Sequence, residues 1–388
     1  MTRVLLFCVD IPPMKNVPVS GGGMRAWTIS EALTSSGFDV IVSLPVFQYL
    51  SKKYWEQIPP ELKANAWDWG EQDKITRRVD PDVILYSSNW GVLDLNRTSE
   101  VPAVIDLHGP TLLEFYFGHG QKITGEELRL KMKKLSSGDF YVFLSRRQRF
   151  YFTSWLLSTG IVLRKDQYGI VPFCVSPTLP ELNNESKSTD PVFLFAGGFY
   201  PWHDPRVGIR IVTETLHRLK RGKLLMFTES HRLNPSDMMS FDELRRDVSG
   251  DGRVELRGLV PHDTLLKEYR KAHVALDLMK WNLERELAFT TRTVEYLSYG
   301  LPVIYNNYAE LSGYIEKYKA GWCVDPEDPV AIREVVEHIL DNPQELKEYS
   351  INAQTLVKEN FTWDKTITPL VEFCKNPKKR EKTDNLLQ

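Results

Sequence analysis

The sequence predicts an α/β protein of two domains, each a doubly wound parallel sheet, and three observations carry that expectation. Its 388 residues are too many for one ordinary core and enough for two domains that each bury their own. Short β-branched runs alternate with helix-sized intervals in two separate series, and continuous apolar runs of this kind suit strands buried on both faces of a parallel sheet. Between the series, Ser176 to Pro191 is rich in Pro, Ser, Asn and acidic residues, the composition of an exposed connector.

In the first series the predicted strands are Val4 to Val9, Val40 to Leu44, Val83 to Tyr86, Val104 to Leu107 and Tyr141 to Leu144, and the pattern ends near Ile170-Val171-Pro172. The second restarts with Val192 to Ala196, Leu224 to Phe227, Val254 to Leu256, Val274 to Leu278 and Pro302 to Tyr305. From Trp363 to Phe373, Trp, Ile, Leu and Phe recur at helical spacing, which predicts a last helix returning to the first domain. The expected division is therefore 1–175 with the helix 362–376, a linker 176–191, a second domain 192–361 and a polar, fraying tail 377–388. Open parallel sheets bind ligands outside the carboxyl ends of their strands, so motifs that follow strands carry the functional weight.

Composition excludes several classes. Charged residues make up 26% and the formal net charge is -2, so nothing global attracts nucleic acid, and any anion site must be local. Val4 to Val9 is too short for a signal-peptide core, and no apolar stretch approaches the roughly 20 residues of a membrane span, so a soluble cytoplasmic protein is expected. Cys8, Cys174, Cys323 and Cys374 lie far apart and read as buried thiols. H-E-x-x-H, paired C-x-x-C and G-x-S-x-G patterns are absent; no metal and no cofactor is expected.

Gly21-Gly22-Gly23 follows the first strand and runs into a helix expected to begin near Met24 and Arg25. Backbone N–H groups there suit a phosphate or a developing oxyanion, or the glycines only permit a tight turn. His108 ends the strand Val104 to Leu107, with Asp106 two residues behind on the same strand face; it reads either as a contact to a sugar hydroxyl or phosphate, or as a satisfied strand-end histidine. Arg146-Arg-Gln-Arg-Phe-Tyr-Phe-Thr-Ser-Trp-Leu-Leu reads either as a surface for anionic lipid or an acidic acceptor, or as an amphipathic helix with Phe150, Trp155 and Leu156 in the core.

The most informative segment runs from Leu283 to Tyr305. A loop after the strand Val274 to Leu278 reaches a helix starting near Thr290 to Thr293, which ends at Gly300 before the next strand. Hydroxyls and amides of Thr291 and Thr293 thus stand at a helix N-terminus, where a diphosphate is stabilised. Glu295 suits either a ribose diol or the helix dipole.

This segment resembles the donor-site signature of retaining GT-B glycosyltransferases of the family 4 kind, whose E-Y/A-x-x-x-G-x-P-V form is matched by Glu295-Tyr-Leu-Ser-Tyr-Gly-Leu-Pro-Val-Ile. The likeness extends to Phe195-Ala-Gly-Gly-Phe, to Val254-Glu-Leu-Arg-Gly-Leu-Val, where it implies a nucleobase contact through backbone at Gly258, to Phe361-Thr-Trp, and loosely to Gly21 to Gly23. It implies two Rossmann-like domains facing each other across a cleft, with acceptor in the first and nucleotide sugar in the second. The pattern's first acid falls at Leu287, with Glu286 and Glu284 alongside, and Glu286 takes its place after a one-residue slip. The Gly-Arg and lysine that neutralise the diphosphate are replaced by Gly198-Phe199, His203, Asp204 and Arg206, with Arg292, Lys280 or Arg206 available to carry the charge.

The resulting expectation is a retaining hexosyltransferase. Its catalytic candidates are His108, Glu286 and Arg292; its donor-binding candidates are Gly22, Gly23, Gly198, Arg206, Gly258, Lys280, Thr291, Thr293 and Glu295. The donor expected from the resemblance is UDP-glucose or a close relative, the acceptor a saccharide or lipid-linked molecule, and the leaving diphosphate helps to deprotonate the acceptor. A nucleotide-sugar epimerase and a non-catalytic two-lobed sugar-binding protein are the alternatives.

Overall fold

The structure, a computed structural model, describes residues 1–87, 92–95, 98–118, 120–182, 190–228, 238–248 and 252–381. Linker residues 183–189 and tail residues 382–388 lie outside the described residues. The chain divides into two compact units: Met1–Leu112, Lys122–Ser176 and Thr362–Gln388 form the first, Leu113–Gln121 and Pro177–Phe361 the second. The short segment Leu113–Gln121 departs from the sequence-based division. Its Glu114 lies within the charge field of Glu284 and Arg285, and its Gly118 lies against the Trp202 ring.

In the first unit, β1 (Arg3–Phe7), β2 (Asp39–Ser43), β3 (Val83–Tyr86), β4 (Ala103–Leu107), β5 (Phe140–Phe143) and β6 (Tyr168–Ile170) form a parallel sheet of order β2-β1-β3-β4-β5-β6. Alternate side chains enter opposite cores, as the strand period of two requires. Val4, Leu6, Val83 and Leu85 pack with Ala26, Ile29 and Leu33 of the helix Gly21–Ser35 and with Leu370 and Phe373 of the last helix. Leu5, Phe7, Ile84 and Tyr86 pack on the other face with Trp67, Phe152 and Leu156. Burial on both faces explains why these strands read as unbroken apolar runs.

The second unit repeats the plan with β7 (Val192–Ala196), β8 (Lys223–Phe227), β9 (Val254–Leu256), β10 (Val274–Asp277), β11 (Val303–Asn306) and β12 (Gly321–Val324), in the order β12-β11-β10-β7-β8-β9. Phe193, Phe195, Leu224, Met226, Val274 and Leu276 share a core with Ile209, Val212 and Leu216 of the helix Arg206–Leu219. Because β7 pairs with both β8 and β10, the winding direction reverses between β7 and β10. Loops leaving the carboxyl ends of these two strands diverge there, which is where open α/β sheets bind ligands. No helix among the described residues is long and apolar enough to cross a membrane.

Candidate functional site

In the first unit, Ser20 caps the helix Gly21–Ser35, its Oγ accepting from the Gly23 N–H at 3.2 Å. The three glycines are therefore the first helical turn, three residues upstream of the expected start, and the Gly23 N–H is held by the cap. Gly23 is glycine for packing: a Cβ would overlap the Ile11 carbonyl oxygen. Two residues on, the fully buried Arg25 donates from Nε and Nη2 to Asp106 at 3.2 and 2.9 Å and to the carbonyls of Val171 and Pro172, both at 2.8 Å. Asp106, which also accepts from Ser87 Oγ at 3.3 Å, is thus an interior tie between β4 and this helix. His108 is half-buried just beyond β4, and its carbonyl accepts from Gln148 Nε2 at 3.0 Å.

The second unit brings four of the nine donor-binding candidates, Gly198, Thr291, Thr293 and Glu295, to the loop and helix at its switch point. The helix Thr291–Ser298, with Thr290 in its N-cap position but without a side-chain cap bond, starts after β10 and leans on the end of β7. Tyr296 accepts from the Ala196 N–H at 2.8 Å and donates to the Ala196 carbonyl at 3.0 Å. Arg292 donates to the same carbonyl at 3.2 Å, and its other guanidinium nitrogen lies 3.2 Å from the buried Asp277. Gly197, with φ +155°, leaves the space that guanidinium occupies, since a Cβ there would displace it. Gly198, the next residue, lies against the Tyr200 ring. The Thr293 hydroxyl donates to Asp277 and accepts from Thr290 Oγ1 at 2.8 Å, so it is part of the scaffold rather than the open hydroxyl expected. Arg292 is likewise already ion-paired.

Other candidates take separate positions around this centre. Arg206, the first residue of its helix, forks onto Asp204 at 2.8 and 2.7 Å, and Lys280, whose amide donates to the Asp204 carbonyl, lies 3.5 Å from Glu327. These two half-exposed cations flank one aspartate: burial alone would raise the Asp204 carboxyl, but the hydrogen bonds from the Arg206 side chain and backbone, followed by the charges of Arg206 and Lys280, outweigh it and hold the group below the usual carboxylate range. Gly258 follows β9 with φ +63°, a conformation that favours glycine. Glu286 accepts from Trp281 Nε1 at 3.0 Å, whereas the buried acid of this stretch is Glu284, forked with Arg285 at 2.7 Å through Nη2. Burial, and then the neighbouring Glu284 charge, push the Glu114 carboxyl up to about 8. Both ring nitrogens of His203 are buried without a hydrogen-bond partner, and burial, with Arg285 and Arg292 nearby, holds its pKa well below 6.5.

Glu295 occupies the second turn of its helix, past the reach of the N-terminal dipole, and its carboxylate is engaged from one side. Oε1 lies 2.7 Å from His262 Nε2, and Oε2 accepts from the Tyr269 hydroxyl at 3.1 Å. Sequence reasoning missed His262, although Pro261-His262-Asp263 at the start of the helix His262–Lys271 marks it as a residue held by a rigid helix start. It also missed Asp277 and the Glu284–Arg285 pair, whose partners are set by tertiary packing or immediate adjacency. Among the described residues there is no group of three or more His, Cys, Asp or Glu able to hold a metal ion.

Residues 229–372 match the family model described as glycosyl transferase-like. Among solved structures, sucrose-phosphate synthase from Thermosynechococcus elongatus is similar at 17% identity and TM-score 0.72, over 97% of this chain and 98% of that one. Anabaena HepE in complex with UDP-glucose is similar at 13% identity and TM-score 0.67, over 97% and 100%, and TarM at 9% and 0.67, over 97% and 99%. No curated protein matches. The chain has the two-sheet α/β fold of GT-B glycosyltransferases, and residues 229–372 carry glycosyl transferase-like sequence, which bears out the GT-B glycosyltransferase part of the resemblance.

Proposed function

We propose that this chain is a retaining, metal-independent glycosyltransferase of the family 4 kind, which moves a hexose from a UDP-sugar, with UDP-glucose as first candidate, to a saccharide or lipid-linked acceptor in polysaccharide or glycoconjugate synthesis. The observation that carries the reading is the Glu295 carboxylate, inside the signature Glu295 to Ile304 and on the helix that leaves the switch point of the second sheet. A carboxylate has about four acceptor positions; His262 and Tyr269 engage two, and two remain for a vicinal diol such as a ribose. The Thr291 end of that helix, with Arg206 and Lys280, supplies positive potential for a diphosphate, and Gly258 bare backbone for a base. That HepE was solved with UDP and with UDP-glucose supports the choice of donor.

In this reading His108 contacts the transferring sugar from the first unit, and Glu286 and Arg292 serve the sugar side and the leaving diphosphate. Rate enhancement rests on orienting two substrates and stabilising the departing diphosphate. The protein works in the cytoplasm, with the helix Arg146–Leu157 meeting anionic lipid at the membrane face. Thermal unfolding with UDP, UDP-sugars and other nucleotide sugars, each with and without a chelator, tests the donor. UDP ligands at about 100 times their dissociation constant should add roughly 2.7 kcal/mol in both conditions. No shift with any nucleotide, or a shift abolished by the chelator, contradicts the proposal.

A further inference from the structure

His262 belongs to no catalytic or donor-binding assignment above, yet it makes the shortest described contact to the carboxylate on which the donor site depends. Its side chain and that of Glu295 are 12% and 11% exposed, and their 2.7 Å separation is that of a charge-assisted hydrogen bond. Pro261 precedes it with φ -53°, and the helix His262–Lys271 fixes its backbone, so the ring is delivered from a rigid point. Two turns further along the same helical face, Tyr269 closes on the other carboxylate oxygen and is itself wedged edge-on between Tyr296 and Tyr299. The carboxylate is clamped by two donors of one helix while its backbone rides on another.

An imidazolium at a helix N-terminus is disfavoured by the dipole, so local helix stability does not account for this histidine. Burial alone lowers its pKa; the hydrogen bond and charge of Glu295, with Asp263 adding to them, outweigh that and leave it above 6.5. The charged groups that act on it are Glu295 from the helix Thr291–Ser298 and Asp263 on its own helix; Tyr269 meets the same carboxylate, and Arg292 and Tyr299 lie on the Tyr269 side. A nucleoside diphosphate is an anion, and an unneutralised Glu295 beside its ribose repels it.

We infer that His262 is a positioning residue for donor binding: it fixes the Glu295 carboxylate in the orientation that accepts the ribose hydroxyls and, when protonated, neutralises it. This rests on the donor-site reading given above. Affinity for nucleoside diphosphate then falls as pH rises through the His262 titration, because the imidazolium is lost. Glutamine at this position keeps a neutral amide donor toward Glu295 and removes the titration.

The test is calorimetric titration of UDP into the full-length wild type, His262→Gln, His262→Ala and Glu295→Ala between pH 6 and 8.5, where ionisation of UDP itself is common to all four. His262→Ala should weaken UDP about 10-fold at pH 6.5. His262→Gln should recover most of that loss, and its affinity should fall less steeply with pH than that of the wild type by about 3- to 10-fold over the range. Unchanged affinity in His262→Ala, or a wild-type pH profile in His262→Gln, overturns the inference while a weakened Glu295→Ala keeps the donor site. If His262→Ala does not fold, the His262→Gln profile decides alone. Wild-type affinity in Glu295→Ala instead overturns the donor-site reading and this inference with it.

Discussion

At Gly23 there is no room for a side chain, since even a methyl group meets the Ile11 carbonyl. Gly23→Ala is therefore expected to cost about 1–3 kcal/mol through overpacking while leaving UDP affinity unchanged, as urea unfolding and a UDP titration would show. Wild-type stability with impaired turnover would instead favour an anion cradle. The same contrast explains what single residues disclosed beforehand. Glu295 was legible because acid, glycine and proline stand at fixed offsets around one helix and strand. Arg25 and Asp106 were not read as partners because they are 81 residues apart and meet only when β4 and the first helix are in place. Nor was His262, 33 residues from Glu295, since one histidine at a helix start leaves no periodic trace.

At the level of elements, the helix Arg146–Leu157 divides its aromatic residues differently from the expectation. Phe152 and Leu156 enter the core and Trp155 is half-buried over Lys131 at 3.8 Å, but Phe150 is 64% and Leu157 59% exposed. Phe150, Ser154 and Leu157 recur at helical spacing, so they share a face, and Arg149 stacks on Phe150. Arg146, Arg147 and Arg149 crowd the N-terminal turn, where the dipole opposes cations. Between Arg146 and Lys165 there are five basic residues and no acid in a chain of net charge -2. That combination fits an anionic membrane surface. Phe150→Asp with Leu157→Asp should abolish co-sedimentation with vesicles containing anionic lipid while sparing UDP binding; equal binding of wild type and variant to neutral vesicles would contradict the assignment. Among strands, β6 and β12 escaped notice because each is a short edge strand with few β-branched residues, Tyr168-Gly-Ile and Gly321-Trp-Cys-Val.

For the whole molecule, two sheets of the same plan were legible from two series of buried runs, and the return of the last helix from its apolar spacing: Phe373 stacks on Phe140 at 4.6 Å, and Pro369 lies against Gly169. The segment Leu113–Gln121 was not legible, because its membership in the second unit depends on contacts with Trp202 and the Glu284–Arg285 pair that no local pattern encodes. The central claim is that the second unit holds a nucleotide through Glu295. Glu295→Ala leaves His262 and Tyr269 without their acceptor, at a cost of about 1–3 kcal/mol in stability, so the variant must first be shown to be folded by circular dichroism. UDP titrated into it by calorimetry should then bind roughly 10- to 150-fold more weakly than to wild type, the equivalent of about 1.5–3 kcal/mol for charge-assisted bonds to two ribose hydroxyls, with Glu295→Gln in between. Wild-type affinity in the folded alanine variant would contradict the account.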